Sequence, residues 1–391
     1  MVAPTPVNYS ATIDEVTTQQ FMRGEWNDTK QQRALLERLD AKGNIDEEGE
    51  GVYAEWRSRV GEYQDSTRTD LAQRNFARKQ HRITATLPWS FLEVEGVLSD
   101  RDIMLNKGKS AIVKLKETMV TEMSDDFKKR INKRLLTSNS GAEASMGNAV
   151  TTDTVHGLPT VFNAGGTLYA RGTTTALEVT DKYVASVGNY GGHSISRGGL
   201  TGVDNALDDA WSPYLVNTGY DWAGDAGETE SHAWAGNCIH VANDMMTGLA
   251  HGDSEGEFPD LGIMTKAMFT QFKAKLFDKQ RIAVGESPTS PNVGMYPRFH
   301  IPFEGATFVY DADMTADNFY LLNTSKMQLK CVPAGTNGSP TGELGGSAAE
   351  LFGVTQQHSI EQGGHLAVVT LASQLCIDPR YHGAAYTWDA S

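Results

Sequence analysis

Three aspartates in a turn-rich stretch have the types and spacing that could hold a cation. Asp311, Asp313 and Asp317 lie in "FVYDADMTADNFYLLNTSKMQLKCV", between two apolar runs. An EF-hand calcium loop needs Gly at its sixth position and Glu at its twelfth, but counting from Asp311 these positions hold Ala316 and Leu322. We therefore expect these aspartates to bind no metal. Asp and Asn can bond to their own backbone in turns, which predicts a turn that joins the strands "TFVY" and "FYLLN" as a paired-strand unit.

The ten histidines give no clear ligand spacing either. The closest groupings are His232 with His240 and His251, and His358 with His365. None has the i, i+4 spacing that places two histidines on one face of a helix in an HExxH site. We favour surface or packed histidines over a metal site.

No other motif predicts catalysis or cofactor binding. The glycine-rich "GNYGGHSISRGGLTG" is neither GxGxxG nor GxxxxGK[ST], so a flexible loop is favoured over a phosphate-binding loop. There is no GxSxG elbow, and no Ser/His/Asp arrangement stands out from spacing alone. We predict no catalytic residue, no metal and no cofactor. A cytosolic hydrolase or metal enzyme built on the central histidines is the alternative from another functional class.

Composition is typical of a soluble globular protein with two or three domain-sized units. The chain has 391 residues, 39% hydrophobic and 21% charged, with a formal net charge of -15. That charge disfavours binding nucleic acid through the field of the whole surface. The three cysteines, Cys238, Cys331 and Cys376, show no CxxC spacing, which fits a reducing interior. Neither a signal peptide nor an apolar run long enough for a membrane span is present, so we expect no membrane contact.

The densest basic stretch is "DFKKRINKRLL", residues 126–136. Its five basic residues form either a solvated helix face, which is the default, or a nucleic-acid contact. The candidates for such a contact are Lys128, Lys129, Arg130, Lys133 and Arg134.

Periodicity predicts one long helix preceded by a strand. Residues 82–103 alternate apolar and polar side chains, with Pro88 marking an edge or a bend. Residues 102–136 then carry apolar residues mostly at every fourth position. A four-residue step overshoots the 3.6-residue turn, so this stripe winds around the helix and must meet different neighbours along its length.

The rest of the sequence predicts three further helices, a loop-rich middle part, several late strands and one charged segment without a core. Helices are expected at 17–39, at 238–250 and at 258–281, the last with Met264, Met268, Phe272 and Leu276 on one face. Residues 141–235 are expected to be loop-rich with short strands and helices. Strands are expected at "GATFVY", "NFYLLN", "MQLKCV" and "HLAVVTLASQLCIDP". Residues 40–82 are strongly charged and have too few large apolar residues for a core, so this segment must be disordered or lean on another molecule.

This series of elements resembles the major capsid protein of tailed double-stranded DNA bacteriophages, the family with the HK97-type fold. The matching stretches are "RITATLPWSFLEVEGVLSDRDI" leading into the long helix, "FPDLGIMTKAMFTQF", "FVYDADMTADNFYLLNTSKMQLKCV" and "GGHLAVVTLASQLCIDPRYHGAAYT". The resemblance implies an α+β fold. It places an N-terminal arm at 1–45, an extended E-loop at 46–85, a P-domain with the spine helix at 86–140, an A-domain at 141–340, and strands returning across the P-domain at 341–391.

The resemblance further implies a structural protein that assembles as pentamers and hexamers into an icosahedral shell around double-stranded DNA. Its location would be the virion, after assembly in the host cytoplasm. The expected partners are further copies of the chain, a separate scaffolding protein, a portal, possible decoration proteins, and packaged DNA held weakly at the inner-surface basic residues of 126–136. An encapsulin-like compartment shell is an alternative with the same fold.

The E-loop is the segment expected to contact neighbouring subunits. Its candidate contact residues are Trp56, Arg57, Arg59, Arg68, Arg74 and Arg78. Lys79 lies in the same segment and could serve in a lysine–asparagine crosslink, as in one branch of the family. No partner asparagine or catalytic acid is identifiable, so we do not expect crosslinking.

Overall fold

The computed structural model describes residues 33–59, 82–99, 101, 119, 122–123, 125–127, 129–136, 155–163, 169–170, 181–185, 188–195, 211–220, 222, 234–250, 258–279, 300–314, 318–332, 353–359 and 364–386. The N-terminal part contains α1 (Ala34–Ala41), β1 (Ile45–Asp46), β2 (Tyr53–Arg59), β3 (Arg82–Pro88) and β4 (Ser90–Ser99). The long helix α2 is described at 119, 122–123, 125–127 and 129–136. None of the described helices is both long and apolar enough to span a membrane.

The remaining elements alternate short strands with three helices. The middle part contains α3 (Leu158–Asn163), β5 (Tyr169–Ala170), β6 (Tyr183–Ala185), β7 (Asn189–Tyr190), β8 (His193–Ser194), β9 (Tyr214–Asn217), α4 (Trp234–Leu249), β10 (Leu261–Met264) and α5 (Lys266–Lys279). The C-terminal part contains β11 (His300–Phe303), β12 (Ala306–Tyr310), β13 (Asn318–Leu322), β14 (Met327–Val332), β15 (Gly353–Ser359), β16 (Gly364–Ile377) and β17 (Gly383–Tyr386).

A five-stranded sheet is built around β16, a strand of 14 residues. Strand β4 runs antiparallel along one edge of β16, from Ser90 opposite Ser373 to Ser99 opposite Gly364. Strands β15 and β14 share the other edge, each pairing with a different half of β16. Strand β1 adds to β14 in parallel. Helix α2 covers the side of β4 that carries Gly96, where a Cβ atom would overlap the sulfur of Met123.

An eight-stranded sheet has the order β11-β12-β10-β13-β17-β9-β6-β5. Its central strands are buried on both faces, which explains their uninterrupted apolar runs. Phe319 and Leu321 of β13 face a core formed with α4 and α5. Tyr320 and Leu322, on the opposite face, join the core that also contains the buried side chains of α1, α2 and the five-stranded sheet.

Several predicted elements are confirmed within the described residues. The strand at 82–103 is present as β3 and β4, interrupted at Trp89 directly after Pro88. The winding stripe of α2 is buried at Met123, Phe127, Ile131 and Leu135. Helix α4, the short elements at 155–217 and the four late strands also correspond to predictions. Of the helix predicted at 17–39, residues from Ala34 onward are described and helical.

Three predictions are wrong in detail. Met264 belongs to strand β10, and α5 begins only at Lys266. The spacing of Met264 from the apolar residues that follow suggested a helix. It was not informative here, because all four residues of "LGIM" are buried in a strand that lies between two others. The strands "TFVY" and "FYLLN" do not pair, since β10 lies between them. Residues 53–59 form a strand with buried Ala54 and Ser58, so this part of the charged segment packs on its own chain.

The two sheets do not follow a division at residue 340. Strand β14, before that boundary, lies in the sheet with β15 and β16, whereas β17, near the end of the chain, pairs with β13 and β9 in the other sheet. The five domain ranges implied by the resemblance stay predictions.

Candidate functional site

A two-stranded antiparallel ribbon of β2 and β3 brings the start and the end of the charged segment together. Its last pair joins Arg59 to Arg82, so residues 60–81 must leave and return at one end of the ribbon. Both strands alternate buried and exposed residues. The inner face contains Ala54, Ser58, Ile83, Ala85 and Leu87, which are all buried. The ribbon is therefore amphipathic, and its small inward residues explain why composition did not predict a packed strand.

Trp56 fixes the inner face of the ribbon to the body of the molecule. Its ring lies 5.7 Å from Tyr190 and 6.2 Å from Trp211, measured between ring centroids. Its indole Nε1 donates a hydrogen bond of 3.2 Å to Oδ1 of Asp378, directly after β16. Tyr190 in turn donates from its hydroxyl to the carbonyl of Leu375. This aromatic group connects the ribbon, the β7–β8 hairpin and β16.

The carboxylate of Asp378 is largely buried beneath the ribbon. Burial raises its pKa to about 6, although hydrogen bonds from Ser58 and Trp56 and the nearby charge of Lys326 act in the opposite direction. Burial destabilises the charged form of any carboxyl, and hydrogen-bond donors partly offset this. Sequence reasoning missed Asp378. The available signal was its position between a long apolar strand and Pro379.

The β7–β8 hairpin supports the ribbon from β3. The backbone N–H of Thr86 donates to the carbonyl of Gly191, and Nε2 of His193 lies 2.9 Å from the carbonyl oxygen of Thr84. Gly191 has φ +61, and a Cβ atom there would lie 2.7 Å from Cβ of Ala85. The glycine-rich stretch predicted as a flexible loop thus begins with an ordered hairpin that contacts the ribbon backbone.

The outer face of the ribbon carries the first of the predicted contact residues. Arg57 and Arg59 are exposed there, with Arg82 opposite Arg59 on β3. Trp56 points to the inner side and contacts its own chain. Arg68, Arg74, Arg78 and also Lys79 lie outside the described residues. The intersubunit role of the six E-loop residues stays a prediction.

The basic residues of α2 are divided between an exposed face and the edge of β4. Lys129, Arg130 and Lys133 are exposed, whereas Arg134 is partly buried and donates from Nη1 to the carbonyl of Phe91. Burial, together with the neighbouring charge of Arg130, lowers the pKa of Arg134. The side chain of Lys128 lies outside the described residues. Contact of this group with DNA stays a prediction.

The aspartate-rich turn holds helices α1 and α2 to the eight-stranded sheet. Nδ2 of buried Asn132 donates to carboxylate oxygens of Asp311 and Asp313, at 3.1 and 2.8 Å. Arg33 forms an ion pair of 3.0 Å with Asp313. The N–H of Asp313 donates to Oδ1 of Asp311, which is the predicted bond of an Asp side chain to its own turn. Asp317 lies outside the described residues.

The two histidine groupings singled out in the sequence lie in different parts of the structure. His358 lies directly opposite His365 in the β15–β16 pair. His240 is exposed on α4, and His232 and His251 lie outside the described residues. In the described part of the chain, no group of three His, Cys, Asp or Glu residues could hold a metal ion. His382, which the sequence did not single out, is buried and accepts a hydrogen bond at Nδ1 from the N–H of Asn323, and burial lowers its pKa to about 3.

A second surface that sequence reasoning missed is the outward side of β4. Phe91, Glu93, Glu95 and Val97 are exposed, whereas Leu92 and Val94 between them are buried. The strict alternation in "FLEVEGVL" was a sufficient signal for a two-faced strand. The sequence did not indicate an interaction surface here, because acidic residues on a strand are ordinarily interpreted as solvated.

No family model matches the chain, and no curated protein matches it in sequence. Solved structures do match it. The capsid asymmetric unit of cyanophage A-1(L) is 16% identical, with a TM-score of 0.52, over 89% of this chain and 91% of that one. The capsid of a native GTA particle is 13% identical, with a TM-score of 0.49 and coverage of 91% of each chain. The SrpI encapsulin of Synechococcus elongatus PCC 7942 is 10% identical, with a TM-score of 0.43, over 89% of this chain and 86% of that one.

The likeness to the cyanophage capsid spans nearly the whole of both chains, so the two proteins share their fold. This confirms the α+β, HK97-type fold expected from the sequence.

Proposed function

We propose that the chain is the major capsid protein of a tailed double-stranded DNA phage, and that it assembles as pentamers and hexamers into an icosahedral head. The observation that carries this proposal is the fold shared with the cyanophage A-1(L) capsid over nine-tenths of both chains. Fold alone does not determine function. The additional support is the ribbon, which is fixed to the body by its inner face and presents arginines outward.

The role is structural and without catalysis. The E-loop at 46–85 includes most of the ribbon and residues 60–81, and its contact residues Arg57, Arg59, Arg68, Arg74 and Arg78 order it against a neighbouring subunit. Trp56, the sixth predicted contact residue, instead holds the ribbon to the body of its own chain. A segment without its own core gains order from such a contact. The alternative enzyme would need a ligand-binding group, and no described cluster of His, Cys, Asp and Glu offers one for a metal.

The proposal includes further partners. A separate scaffolding protein and a portal take part in assembly in the host cytoplasm, and decoration proteins are an optional addition in the virion. The net charge of -15 suits a container whose wall must not adhere to packed DNA. Local contact with DNA then falls to the exposed basic side of α2, at Lys128, Lys129, Arg130, Lys133 and Arg134.

Removing residues 60–81 tests the role of the E-loop without disturbing the ribbon. Because Arg59 and Arg82 lie opposite each other, an Asn-Gly dipeptide can close the ribbon as a tight hairpin turn. We expect folded, soluble subunits by circular dichroism that form no fast-sedimenting particles. A companion variant keeps the segment but changes Arg68, Arg74 and Arg78 to Gln, and we expect it to assemble less completely than the wild type.

Two results would contradict the proposed role of this segment. Unfolded deletion subunits would mean that residues 60–81 belong to the core of their own chain. Particles formed by the deletion variant as abundantly as by the wild type would mean that the segment is not required for contact between subunits.

A further inference from the structure

The β2–β3 ribbon is a separate sheet that rests on the body of its own chain. Within the described residues, β2 and β3 pair only with each other, so their strand hydrogen bonds do not depend on either larger sheet. The chain enters the ribbon through Gly51, which adopts φ +90, and leaves it at Trp89, where the strand is interrupted before β4. The ribbon can therefore move as a unit about these two positions without losing its own pairing.

Hydrogen bonds to the body hold the ribbon in place. The backbone N–H of Thr86 donates to the carbonyl of Gly191, at 3.2 Å. Gln374 of β16 is fully buried and donates from Nε2 to the carbonyl of Pro88, so the ribbon covers this half of the sheet. Separation of the ribbon from the body breaks both bonds. The amide of Thr86 is therefore a direct reporter of docking.

Asp378 is a residue of the body whose carboxylate is enclosed by the ribbon. Its backbone stays with the body, since its N–H donates to the carbonyl of Lys326 and its carbonyl accepts from the N–H of Tyr381. Its carboxylate accepts hydrogen bonds from the indole of Trp56 and the hydroxyl of Ser58, both on the inner face of β2. Lifting the ribbon therefore removes both donors and admits water to the carboxylate.

The charges around this carboxylate come from the body. The inner face of the ribbon carries no ionisable side chain. Lys326 favours the ionised carboxylate through its charge. Asp46 and Lys330 lie 4.0 Å apart as an ion pair, so their charges largely cancel. Burial raises the pKa of Cys376 to about 12, which keeps its thiol neutral. The ionisable groups of the surrounding body elements are Asp46, Lys326, Lys330, Cys376, Arg380 and Tyr381.

The β7–β8 hairpin adds one further ionisable group to the joint between ribbon and body. Nε2 of His193 lies 2.9 Å from the carbonyl oxygen of Thr84 in β3. Its ionisation acts on the same contact as that of Asp378. A comparison of two proteins that differ only at Asp378, made at one pH, separates the two groups.

We propose that the β2–β3 ribbon is a proton-linked clamp, which docks firmly on the body when the carboxyl of Asp378 is protonated and loosens when that carboxyl ionises. Enclosing an ionised carboxylate away from water is costly, and hydrogen bonds from Trp56 and Ser58 offset only part of the cost. Residues 60–81 are attached to both strands of the ribbon, so their position follows the same equilibrium. The inference concerns the single subunit and goes beyond the proposed shell function, on which it does not depend.

The direction of the pH dependence follows from the two environments of the carboxyl. Burial in the docked state raises the pKa of Asp378 to about 6, whereas undocking returns it towards its ordinary value of 3.8. The contribution of the proton to docking is therefore fully present below about pH 4 and is lost as the pH rises through about 6. A pKa difference of this size increases the opening constant of the ribbon about tenfold between pH 5 and pH 7.

Hydrogen exchange of the unassembled full chain measures this opening at the amide of Thr86. Wild type and Asp378→Asn are compared at each pH, so the intrinsic exchange rate and the effect of His193 cancel. We expect exchange of Thr86 in the wild type, relative to the variant, to rise about tenfold from pH 5 to pH 7. We also expect low urea to accelerate exchange of Ile263 in β10 but not of Thr86, because the ribbon opens without global unfolding.

Two further variants separate the carboxylate from its surroundings. Ser58→Ala removes a donor that favours the ionised carboxylate but leaves the carboxyl in place, so we expect opening to level off at a higher pH than in the wild type. Glu55→Gln removes an exposed carboxylate from the outer face of the same strand, and we expect it to keep the wild-type pH dependence. Circular dichroism of every variant establishes that the subunits are folded.

Four results would overturn the clamp. They are an unchanged pH dependence of Thr86 exchange in Asp378→Asn, a transition in Ser58→Ala that does not move to higher pH, loss of the pH dependence in Glu55→Gln, and exchange of Thr86 that follows Ile263 in urea. The last result would mean that the ribbon opens only when the whole chain unfolds. Shell formation enters none of these measurements, so this inference and the proposed function can fail independently.

Discussion

The carboxylate of Asp378 lies where the ribbon meets the body, so its ionisation acts on the joint between them. Burial raises its pKa to about 6 from an ordinary value of 3.8. In the folded chain the carboxyl therefore takes up a proton at a pH where the unfolded chain has released it. The resulting contribution to stability is fully present below about pH 4 and is lost as the pH rises through about 6.

Asp378→Asn should remove this part of the pH dependence, because an amide does not ionise. The shift corresponds to roughly 3 kcal/mol between pH 4 and pH 7. We expect the free energy of unfolding of the variant to increase relative to that of the wild type, by up to that amount, as the pH rises over this range, so that the variant becomes relatively more stable. Urea denaturation of unassembled subunits at several pH values measures it, with Asp40→Asn at an exposed position of α1 as the control.

Buried histidines act with the opposite sign but do not disturb this comparison. Burial lowers the pKa of His156 to about 4 and of His382 to about 3, so their contribution is lost as the pH falls below about 6.5. Both are unchanged in the variant and cancel in the difference. An identical pH dependence in wild type and Asp378→Asn would contradict the assigned role of Asp378.

At the scale of elements, the ribbon depends on the close approach of the β7–β8 hairpin. Gly191 adopts φ +61, and a Cβ atom added there would lie 2.7 Å from Ala85 and 3.1 Å from the Trp56 ring. Gly192 adopts φ +82, and a Cβ atom added there would have nothing within 4 Å. Alanine at either position adopts a left-handed backbone at a cost of about 1 kcal/mol. Only alanine at 191 also pushes the ribbon away from the hairpin.

Gly191→Ala should therefore destabilise the chain more than Gly192→Ala. We expect a further loss of about 1 kcal/mol or more in the free energy of unfolding, because overpacking a well-filled contact costs this much. Chemical denaturation of the two variants side by side measures the difference. Equal losses would mean that the hairpin does not constrain the ribbon.

Periodicity predicted the elements that bury one stripe or one face, and it failed where every residue of an element is buried. The stripe of α2 was found because Met123, Phe127, Ile131 and Leu135 all meet a packed surface. Met264 was misassigned because a central strand buries every residue, so a four-residue run carries no period of its own. Strand order was not predictable at all. That β10 inserts between β12 and β13 depends on long-range pairing, which no local pattern records.

The candidate site was predictable from the sequence only in part, because some of its residues owe their role to long-range contacts. Arg57 and Arg59 were singled out by charge and do lie on an exposed face. Asp378, Glu93 and Glu95 were not singled out, because their significance comes from what lies across the sheet or under the ribbon. A sequence shows that a carboxylate alternates with apolar residues but not which half of the sheet another element covers.

At the scale of the whole molecule, the buried side chains of the described residues form two cores. One core joins α1, α2 and the five-stranded sheet, and the other lies between the eight-stranded sheet and helices α4 and α5. Strand β13 contributes to both, through Tyr320 and Leu322 on one face and Phe319 and Leu321 on the other. The fold shared with the cyanophage A-1(L) capsid extends over about nine-tenths of both chains.

Electron microscopy of the purified full chain, expressed alone and together with its genetic neighbours, tests the capsid assignment most directly. We predict closed shells, or sheets of hexamers where closure fails, with fivefold and sixfold rings visible in class averages. A stable monomer or small dimer under all conditions would contradict it.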